Sequence, residues 1–281
     1  MKKRYILLMM VSAANAQYDP AASEDVNETF DSTGIVLSNN SASSVDQSNV
    51  GGFPTLVMTG PFITSLGTGV NGEDESILED ISFSSETLGS GAQLNGTDDF
   101  RVADDFEVIN GGWQIEEIEV YAYQTGQTAS TITGVTMQIW DGNPNDPTSM
   151  VVFGDTTTNV LEFTANSGVL RVTETTTGTT DDRQITTNII LIGQFFPEGT
   201  YWVDYQFTGS GGSGPWVPPV TITGQLDTGN ALQINNNAAT PTFDPITDDG
   251  SAALLGMPIL IRGTEPDLIF KDGFDTAVLP L

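Results

Sequence analysis

The chain has 281 residues and a formal net charge of −29, from 37 acidic residues against eight basic ones, and it contains no cysteine and no histidine. This composition excludes a Ser-His-Asp triad, a Cys-His pair, the usual zinc sites and disulfides. The excess of carboxylates also argues against a nucleic-acid partner and against anionic membranes, because phosphate binding relies on clustered Lys and Arg.

The first 16 residues are typical of a secretory signal peptide. Lys2, Lys3 and Arg4 form a basic start, Tyr5–Val11 is a short apolar run, and Ala14-Asn15-Ala16 fits the small-x-small cleavage pattern. The apolar run is too short to cross a bilayer, which needs ~20 residues. The sequence therefore predicts a protein that is secreted or held at the cell surface, without a membrane span.

Three further regions differ in composition. Residues 17–50 are rich in Ser, Asn and Asp and are predicted to be flexible. Residues 51–264 alternate short apolar runs with Gly, Pro, Asn and Asp, and we expect one β domain there because helix-favouring runs are scarce. Residues 265–281 form a C-terminal tail, for which the alternatives are a sorting or surface-attachment signal and a last strand.

The clearest strand pattern lies between residues 99 and 142. Every second residue of Phe100–Val108, counted from Phe100, shares one face, which is a strand signature. After a turn at Gly111-Gly112, a second strand runs over Trp113–Tyr123. Its alternation changes phase at Glu116-Glu117, which predicts a β-bulge. Val135–Trp140 is the next predicted strand.

Short strands are predicted along the rest of the domain, and Ser76–Phe83 stays ambiguous between a helical turn and a strand. The predicted strands are Pro54–Thr59, Phe62–Leu66, Val151–Phe153, Val160–Thr164, Val169–Thr173, Ile185–Ile192, Tyr201–Phe207, Val220–Ile222, Leu232–Ile234 and Pro258–Arg262. Many short strands with turn residues between them favour an all-β fold, an antiparallel two-sheet sandwich of jelly-roll type.

Six segments carry recognisable motifs. They are FRVADDF at Phe100–Phe106, GGWQIEEIEVYAYQTG at Gly111–Gly126, IWDG at Ile139–Gly142, GTYWVDYQ at Gly199–Gln206, SGPWVPPVTITGQ at Ser213–Gln225 and IFKDGFD at Ile269–Asp275. Together they resemble a group of exported bacterial proteins of largely undefined role. The resemblance covers most of residues 51–264 and implies a secreted β-sandwich. It transfers no catalytic residue.

Paired carboxylates are the catalytic chemistry that this composition still permits. Glycosidases need two of them, set ~5–10 Å apart. With 37 acidic residues, some pair at that distance arises by number alone, and no motif marks a particular Asp or Glu. We therefore expect the protein not to be an enzyme, and an acid-pair glycan hydrolase stays an alternative.

Calcium is the one cofactor that the sequence suggests. Asp141, Asn143, Asn145 and Asp146 begin like a calcium-binding loop, whose hard oxygen ligands suit Ca²⁺. The pattern then departs from an EF-hand, because Asp146 occupies the position of the turn glycine and Val152 that of the bidentate glutamate. The alternative is a solvated turn capped by Asp and Asn side chains. Asp98-Asp99, Asp104-Asp105 and Asp248-Asp249 are weaker candidates.

Four aromatic residues are candidate ligand-binding residues, because sugars stack on exposed Trp and Tyr rings. They are Trp140, Trp216, Tyr121 and Tyr123, which lie out of phase with the aliphatic residues of their strands, as does Trp202. The alternative for each ring is packing in a core or under a loop. Arg101 and Arg183, rare cations in this chain, are expected to pair with nearby Asp side chains.

These observations lead to one expected function and two alternatives. We expect a non-enzymatic, secreted or surface-associated β-sandwich with a structural or adhesive role in the extracellular matrix. Its partner would be an extracellular glycan or a matrix protein. The first alternative is a glycan-binding module that depends on calcium or acts without it, and the second is the acid-pair glycan hydrolase.

Overall fold

The structure, a computed structural model, describes residues 51–266, except for the side chain of Phe83. The predicted signal peptide at 1–16, the predicted flexible segment at 17–50 and the tail from residue 267 onward lie outside the described residues. Within the described range, no helix is long and apolar enough to cross a membrane.

Fourteen strands account for nearly all the regular structure between residues 51 and 266. Sheet I has, in spatial order, β1 (Thr55–Met58), β14 (Ile259–Thr264), β5 (Trp113–Ala122), β9 (Gln184–Phe196), β8 (Leu161–Thr173) and β2 (Asp74–Glu79). Sheet II has β13 (Phe243–Pro245), β12 (Leu232–Asn235), β4 (Phe100–Val108), β10 (Gly199–Gly209), β6 (Ile132–Trp140) and β7 (Val151–Asp155). A two-stranded sheet pairs β3 (Ser90–Gly91) with β11 (Trp216–Val217).

The chain crosses repeatedly between the two sheets. The connections β4–β5, β5–β6, β7–β8, β9–β10 and β13–β14 each leave one sheet for the other, so that strands distant in sequence become neighbours. This confirms the predicted all-β sandwich of jelly-roll type. The pairings within both sheets are antiparallel, except that β2 runs parallel to β8 at one edge of sheet I.

The main core lies between the two sheets and is built by the period-2 alternation of their strands. In β10, Val203, Tyr205 and Phe207 face this core and have no exposed surface. The alternate residues Trp202, Asp204 and Gln206 therefore face outward. Removing a large buried side chain from such a core costs ~2–5 kcal/mol, so these three residues are held on the core side. Because side chains alternate along a strand, the residues between them are then fixed on the outer surface of sheet II.

The bulge predicted in β5 is confirmed. The pairing of β5 with β9 and its pairing with β14 both shift between Ile115 and Glu117, so Glu116 has no partner in either ladder. This extra residue lets both Ile115 and Ile118 face the main core. Glu117 is thereby on the outer face, where it accepts a hydrogen bond from Arg262 at 2.7 Å.

Two predicted strands are wrong. Phe62–Leu66 and Val220–Ile222 form no strand, although each contributes a residue to an isolated bridge. Phe62 is buried under Tyr121, with 4.4 Å between the ring centroids. Val220 is also buried. The run at Phe62 thus reflects the packing of a loop against sheet I, which gives the same sequence pattern as a strand.

Two other predictions change in extent. The separate strands predicted at Val160–Thr164 and Val169–Thr173 form one strand, β8, whose register shifts between Asn166 and Val169. Gly168 in this shift has a φ of +78°, which a side chain disfavours. The ambiguous segment Ser76–Phe83 contains both structures, since β2 ends at Glu79 and a single 3-10 turn follows at Ile81–Phe83.

Candidate ligand-binding cleft

Three of the four predicted aromatic ligands lie together on the side of sheet I that faces away from the main core. Tyr121, Tyr123 and Trp216 form a small cluster with Phe62, Val169 and Ile185. Tyr121 and Tyr123 are only 4% and 3% exposed. Their ring faces are covered, as the packing alternative anticipated, and they offer no platform for a sugar. Trp216 is half-buried, and its indole N–H donates to the hydroxyl of Ser213 at 3.3 Å.

Tyr123 is anchored on several sides. Its hydroxyl donates to the carbonyl of Leu88 at 2.5 Å, and the guanidinium of Arg171 lies 5.2 Å from its ring centroid. Burial raises the pKa of Tyr123, and the charge of Arg171 opposes the rise. These contacts give Tyr123 a structural role, joining sheet I to the loop that precedes β3.

Trp140 lies elsewhere, on the outer face of sheet II. It is directly opposite Trp202 on the neighbouring strand, and both belong to a cluster with Ala103, Leu232 and Phe243. This cluster is separate from the main core. The four predicted aromatic ligands are therefore divided between two sheets, and only Trp140 lines a cleft on the exposed face of sheet II.

The cleft has a volume of about 520 Å³. We call it the Trp140 cleft. Outward-facing residues of the central strands β4, β10 and β6 form its floor, namely Arg101, Asp204, Gln206 and Gln138. Its rim comes from loops and from β12 and β13, namely Leu94, Asp99, Thr156, Thr157, Ile234, Asn236 and Phe243. An aromatic ring beside a few convergent polar groups is the usual composition of a small-ligand site.

A buried ion pair lies in the floor of the cleft. Arg101 donates from Nε to Oδ1 of Asp204 at 2.6 Å and from Nη1 to the hydroxyl of Thr136 at 2.8 Å. Its Nη2 donates to the backbone carbonyl of Asp204 at 3.1 Å. Burial raises the pKa of Asp204, and the charge of Arg101 opposes the rise. The pairing expected for Arg101 is confirmed, and Arg183 likewise contacts Asp182.

The same carboxylate holds the tryptophan. The indole N–H of Trp140 donates to Oδ2 of Asp204 at 3.4 Å. Because Arg101 fixes Asp204, this hydrogen bond from the floor of the cleft restrains the orientation of the Trp140 ring. The ring is half-buried, so part of its surface remains open to the cleft.

Amide side chains organise one end of the cleft. Gln206 and Asn236 both donate to Oδ1 of Asp99, at 2.7 and 2.9 Å. Gln206 also donates to the carbonyl of Phe100 at 3.0 Å. The side chain of Gln138 makes no hydrogen bond within the described range, and it is half-buried beside Trp140. Its amide is therefore a donor and an acceptor that a ligand can use.

The predicted calcium loop packs against the rim of this cleft. Asn145 donates from Nδ2 to the carbonyl of Phe243 at 2.7 Å, which joins the β6–β7 loop to β13. Inside the loop, Oδ1 of Asp141 accepts the N–H of Met150 at 2.6 Å. Oδ1 of Asn143 accepts the N–H of Asn145 at 2.8 Å. The loop thus supports the rim through side-chain hydrogen bonds.

Asp146 completes the turn in the same way. Its Oδ1 accepts both the N–H and the hydroxyl of Thr148, at 2.9 and 2.7 Å, and the N–H lowers the pKa of Asp146. No group of three or more acidic residues between residues 51 and 266 is arranged to hold a metal. Calcium binding by this loop stays a prediction, and its side chains have a turn-capping role that needs no ion.

Among the weaker calcium candidates, Asp104 has the carboxyl group whose pKa is shifted furthest. Asp104 faces inward on β4, is 4% exposed, and lines a separate cavity of about 390 Å³ with Asp105 and Glu107. Burial raises the pKa of Asp104 to about 7, against the opposing N–H groups of Met257 and Asp105. Its phase in Phe100–Val108, shared with apolar residues, was the sequence signal for this burial.

Sequence reasoning missed most of the cleft. Arg101, Asp204, Gln206 and Gln138 have the same outward phase as the tryptophans, which is a detectable signal. Their convergence depends on the register of β10 against β4 and β6, where Asp204 is opposite both Ala103 and Gln138. The sequence of a single strand does not determine this register.

No protein-family model matches this chain, and no curated protein or solved structure is significantly similar to it. Functional roles therefore cannot be transferred from a relative. The geometry of the Trp140 cleft and the chemistry of the residues that line it are the features that point to a function.

Proposed function

We propose that this protein is a non-enzymatic, exported β-sandwich that binds an extracellular glycan in the Trp140 cleft and thereby has an adhesive or structural role in the extracellular matrix. One observation carries the proposal: the half-buried Trp140 ring is held by the buried Asp204–Arg101 pair beside a row of hydrogen-bonding side chains. A sugar presents an apolar face and a ring of hydroxyls, and such a site complements both.

The carboxylates of the cleft favour binding over hydrolysis. A general acid must reach the glycosidic oxygen. Asp204 is 1% exposed, and its two oxygens are directed to Arg101 and Trp140. Asp99 is already the acceptor of two amide donors. Both groups therefore support the site, and neither is positioned as a free acid.

Glycan-array binding by the full secreted chain tests this function. Trp140→Ala is compared with Trp216→Ala, a matched control because Trp216 is also a half-buried tryptophan but lies in the cluster on sheet I. We expect binding to at least one glycan, abolished by Trp140→Ala and retained by Trp216→Ala. Absence of binding across the array, or equal loss in both variants, would contradict the proposal.

A glycan hydrolase is the second candidate, and the environment of Asp104 favours it. A carboxyl group with a pKa raised to about 7 beside Asp105 and Glu107 has the protonation state of a general acid. Its oxygens, however, accept the N–H groups of Met257 and Asp105 at 2.6 and 2.9 Å. Turnover of a polysaccharide that Asp104→Asn abolishes would replace the binding proposal with this one.

A further inference from the structure

We propose that the Trp140 cleft selects uncharged, hydroxyl-rich polysaccharides over polyanionic ones. This inference rests on the proposed glycan-binding function and deepens it by naming the ligand class. It follows from which charges inside the cleft are already neutralised and which hydrogen-bonding groups are left over.

The cleft has no positive charge to offer. Arg101 is the one basic residue among the described residues that line it, and it is 2% exposed. Its Nε, Nη1 and Nη2 atoms donate to Asp204 and Thr136. A uronate or sulfate group would have to detach Arg101 from Asp204, leaving a buried carboxylate without its partner. The cleft therefore lacks the cation that recognition of an acidic sugar needs.

Of the two carboxylates in the cleft, Asp204 has a counter-ion. Arg101 neutralises Asp204, whose second oxygen accepts the indole N–H of Trp140. Asp99 accepts the amides of Gln206 and Asn236 on Oδ1. It keeps acceptor capacity on Oδ2, which a sugar hydroxyl can fill. An ammonium group could therefore pair only with Asp99 on the rim, because the floor holds no carboxylate without a partner.

The groups left over are neutral donors and acceptors. The side chains of Gln138 and Thr156 line the cleft and make no hydrogen bond within residues 51–266. An amide and a hydroxyl each donate and accept, as sugar hydroxyls do. Trp140 and Phe243 add apolar ring surface from the same cluster. These neutral polar and aromatic groups fit an uncharged glycan.

The charge of the whole chain acts in the same direction against polyanions. With 37 acidic residues against eight basic ones, the protein repels an approaching polyanion over roughly a Debye length, ~8 Å at physiological salt. A polycation would instead be attracted to the whole surface, and salt would remove that attraction. Salt dependence therefore separates binding in the cleft from adsorption to the surface.

The test uses the full secreted chain with three sets of oligosaccharides at low and high salt: an uncharged panel (β-glucan, α-glucan, mannan and galactan), alginate and chitosan. We expect saturable binding of at least one uncharged oligosaccharide, with a Kd that changes less than ~2-fold with salt. Saturable binding that Trp140→Ala abolishes but that is confined to alginate or to chitosan would overturn the selectivity and leave the binding function intact. If none of the three sets binds, the proposed function fails as well.

Gln138 provides a second, independent readout. Gln138→Ala is expected to lower the affinity for the uncharged oligosaccharide ~10-fold, because the hydrogen bonds of one side chain are lost. Gln138→Lys adds an unpaired cation to the floor and is expected to admit alginate at low salt. Gln114→Ala and Gln114→Lys are the controls, since Gln114 is a half-buried strand glutamine of sheet I. Equal gains of alginate binding in both lysine variants would contradict selection by the cleft.

Discussion

Trp140 and Asp204 are diagonal neighbours on β6 and β10, where Trp140 lies opposite Trp202 and Asp204 lies opposite Gln138. The indole N–H of Trp140 donates to Oδ2 of Asp204 at 3.4 Å, and the other oxygen of Asp204 binds Arg101 from β4. Three adjacent strands therefore fix one aromatic ring. A ring oriented in advance loses less conformational freedom when it binds a ligand.

Removing the charge of Asp204 is expected to destabilise the fold. Asp204→Asn keeps the shape of the side chain but leaves Arg101 buried without its counter-ion, which costs ~3–5 kcal/mol. The measurement is the free energy of unfolding in urea. The double variant Arg101→Met/Asp204→Leu removes both charges and is expected to recover most of that loss. A change of less than ~1 kcal/mol in Asp204→Asn would show that the pair is not buried as described.

Asp104 makes stability fall as the pH rises. Burial raises its pKa from 3.8 to about 7, so between these values the folded chain holds a proton that the unfolded chain has released. The contribution of Asp104 to stability is fully present below about pH 4 and is lost as the pH rises through 7. The difference between the folded and unfolded pKa values of Asp104 corresponds to on the order of 4 kcal/mol of stability.

Urea unfolding at several pH values measures this effect. The fall in the free energy of unfolding between about pH 5 and pH 8 is expected to shrink in Asp104→Asn, which cannot titrate. Asp105→Asn is the neighbouring control and is expected to retain the fall. The same pH profile in Asp104→Asn as in the natural protein would assign the effect to other groups.

Asp248 has the opposite pH dependence. Burial acts to raise its pKa, but the N–H groups of Ser251, Thr87 and Glu86 outweigh burial and lower it to about 2. Its stabilisation is present above about pH 4 and is lost as the pH falls toward 2. Asp248→Ala removes all of these hydrogen bonds, and we expect it to cost at least ~2 kcal/mol at neutral pH.

Asp249→Ala is the control for Asp248, because the side chain of Asp249 is exposed. Chemical denaturation at neutral pH is expected to show a change within ~0.5 kcal/mol for that variant. A loss in Asp248→Ala no larger than that of the control would mean that these hydrogen bonds do not hold the segment at Glu86-Thr87 to the turn after Asp248.

The β6–β7 loop is expected to keep its structure without calcium. The Oδ1 atoms of Asp141, Asn143 and Asp146 accept N–H groups of the loop itself. Thermal unfolding in millimolar Ca²⁺ and in a chelator should therefore give the same Tm, and Asp141→Ala should lower both values alike. A rise in Tm with Ca²⁺ that Asp141→Ala removes would establish a native calcium site in the loop.

The sequence was sufficient to predict most of the long strands. The alternation in Phe100–Val108 and the phase change at Glu116-Glu117 both correspond to the observed strand and bulge, because side-chain burial is decided residue by residue along a strand. The false strand at Phe62–Leu66 shows the limit of this reasoning. A loop that buries Phe62 against a sheet needs the same apolar residues as a ladder does.

The cleft was only partly predictable. Trp140 has an outward phase and could be selected from the sequence, whereas Tyr121 and Tyr123 have the same phase but are covered by Phe62 and by Trp216. Phase reports which side of a sheet a residue faces, and it does not report what lies over that side. The meeting of Asp204 with Trp140 depends on strand order and register, which long-range packing decides.

The most direct test of the Trp140 cleft is isothermal titration of the best-binding uncharged oligosaccharide into the natural protein, Trp140→Ala and Trp216→Ala. We expect 1:1 binding that Trp140→Ala weakens by at least ~10-fold. Trp216→Ala should keep the Kd within ~2-fold, because its ring belongs to the cluster on sheet I. Unchanged affinity in a folded Trp140→Ala variant would contradict the assignment of this cleft as the glycan site.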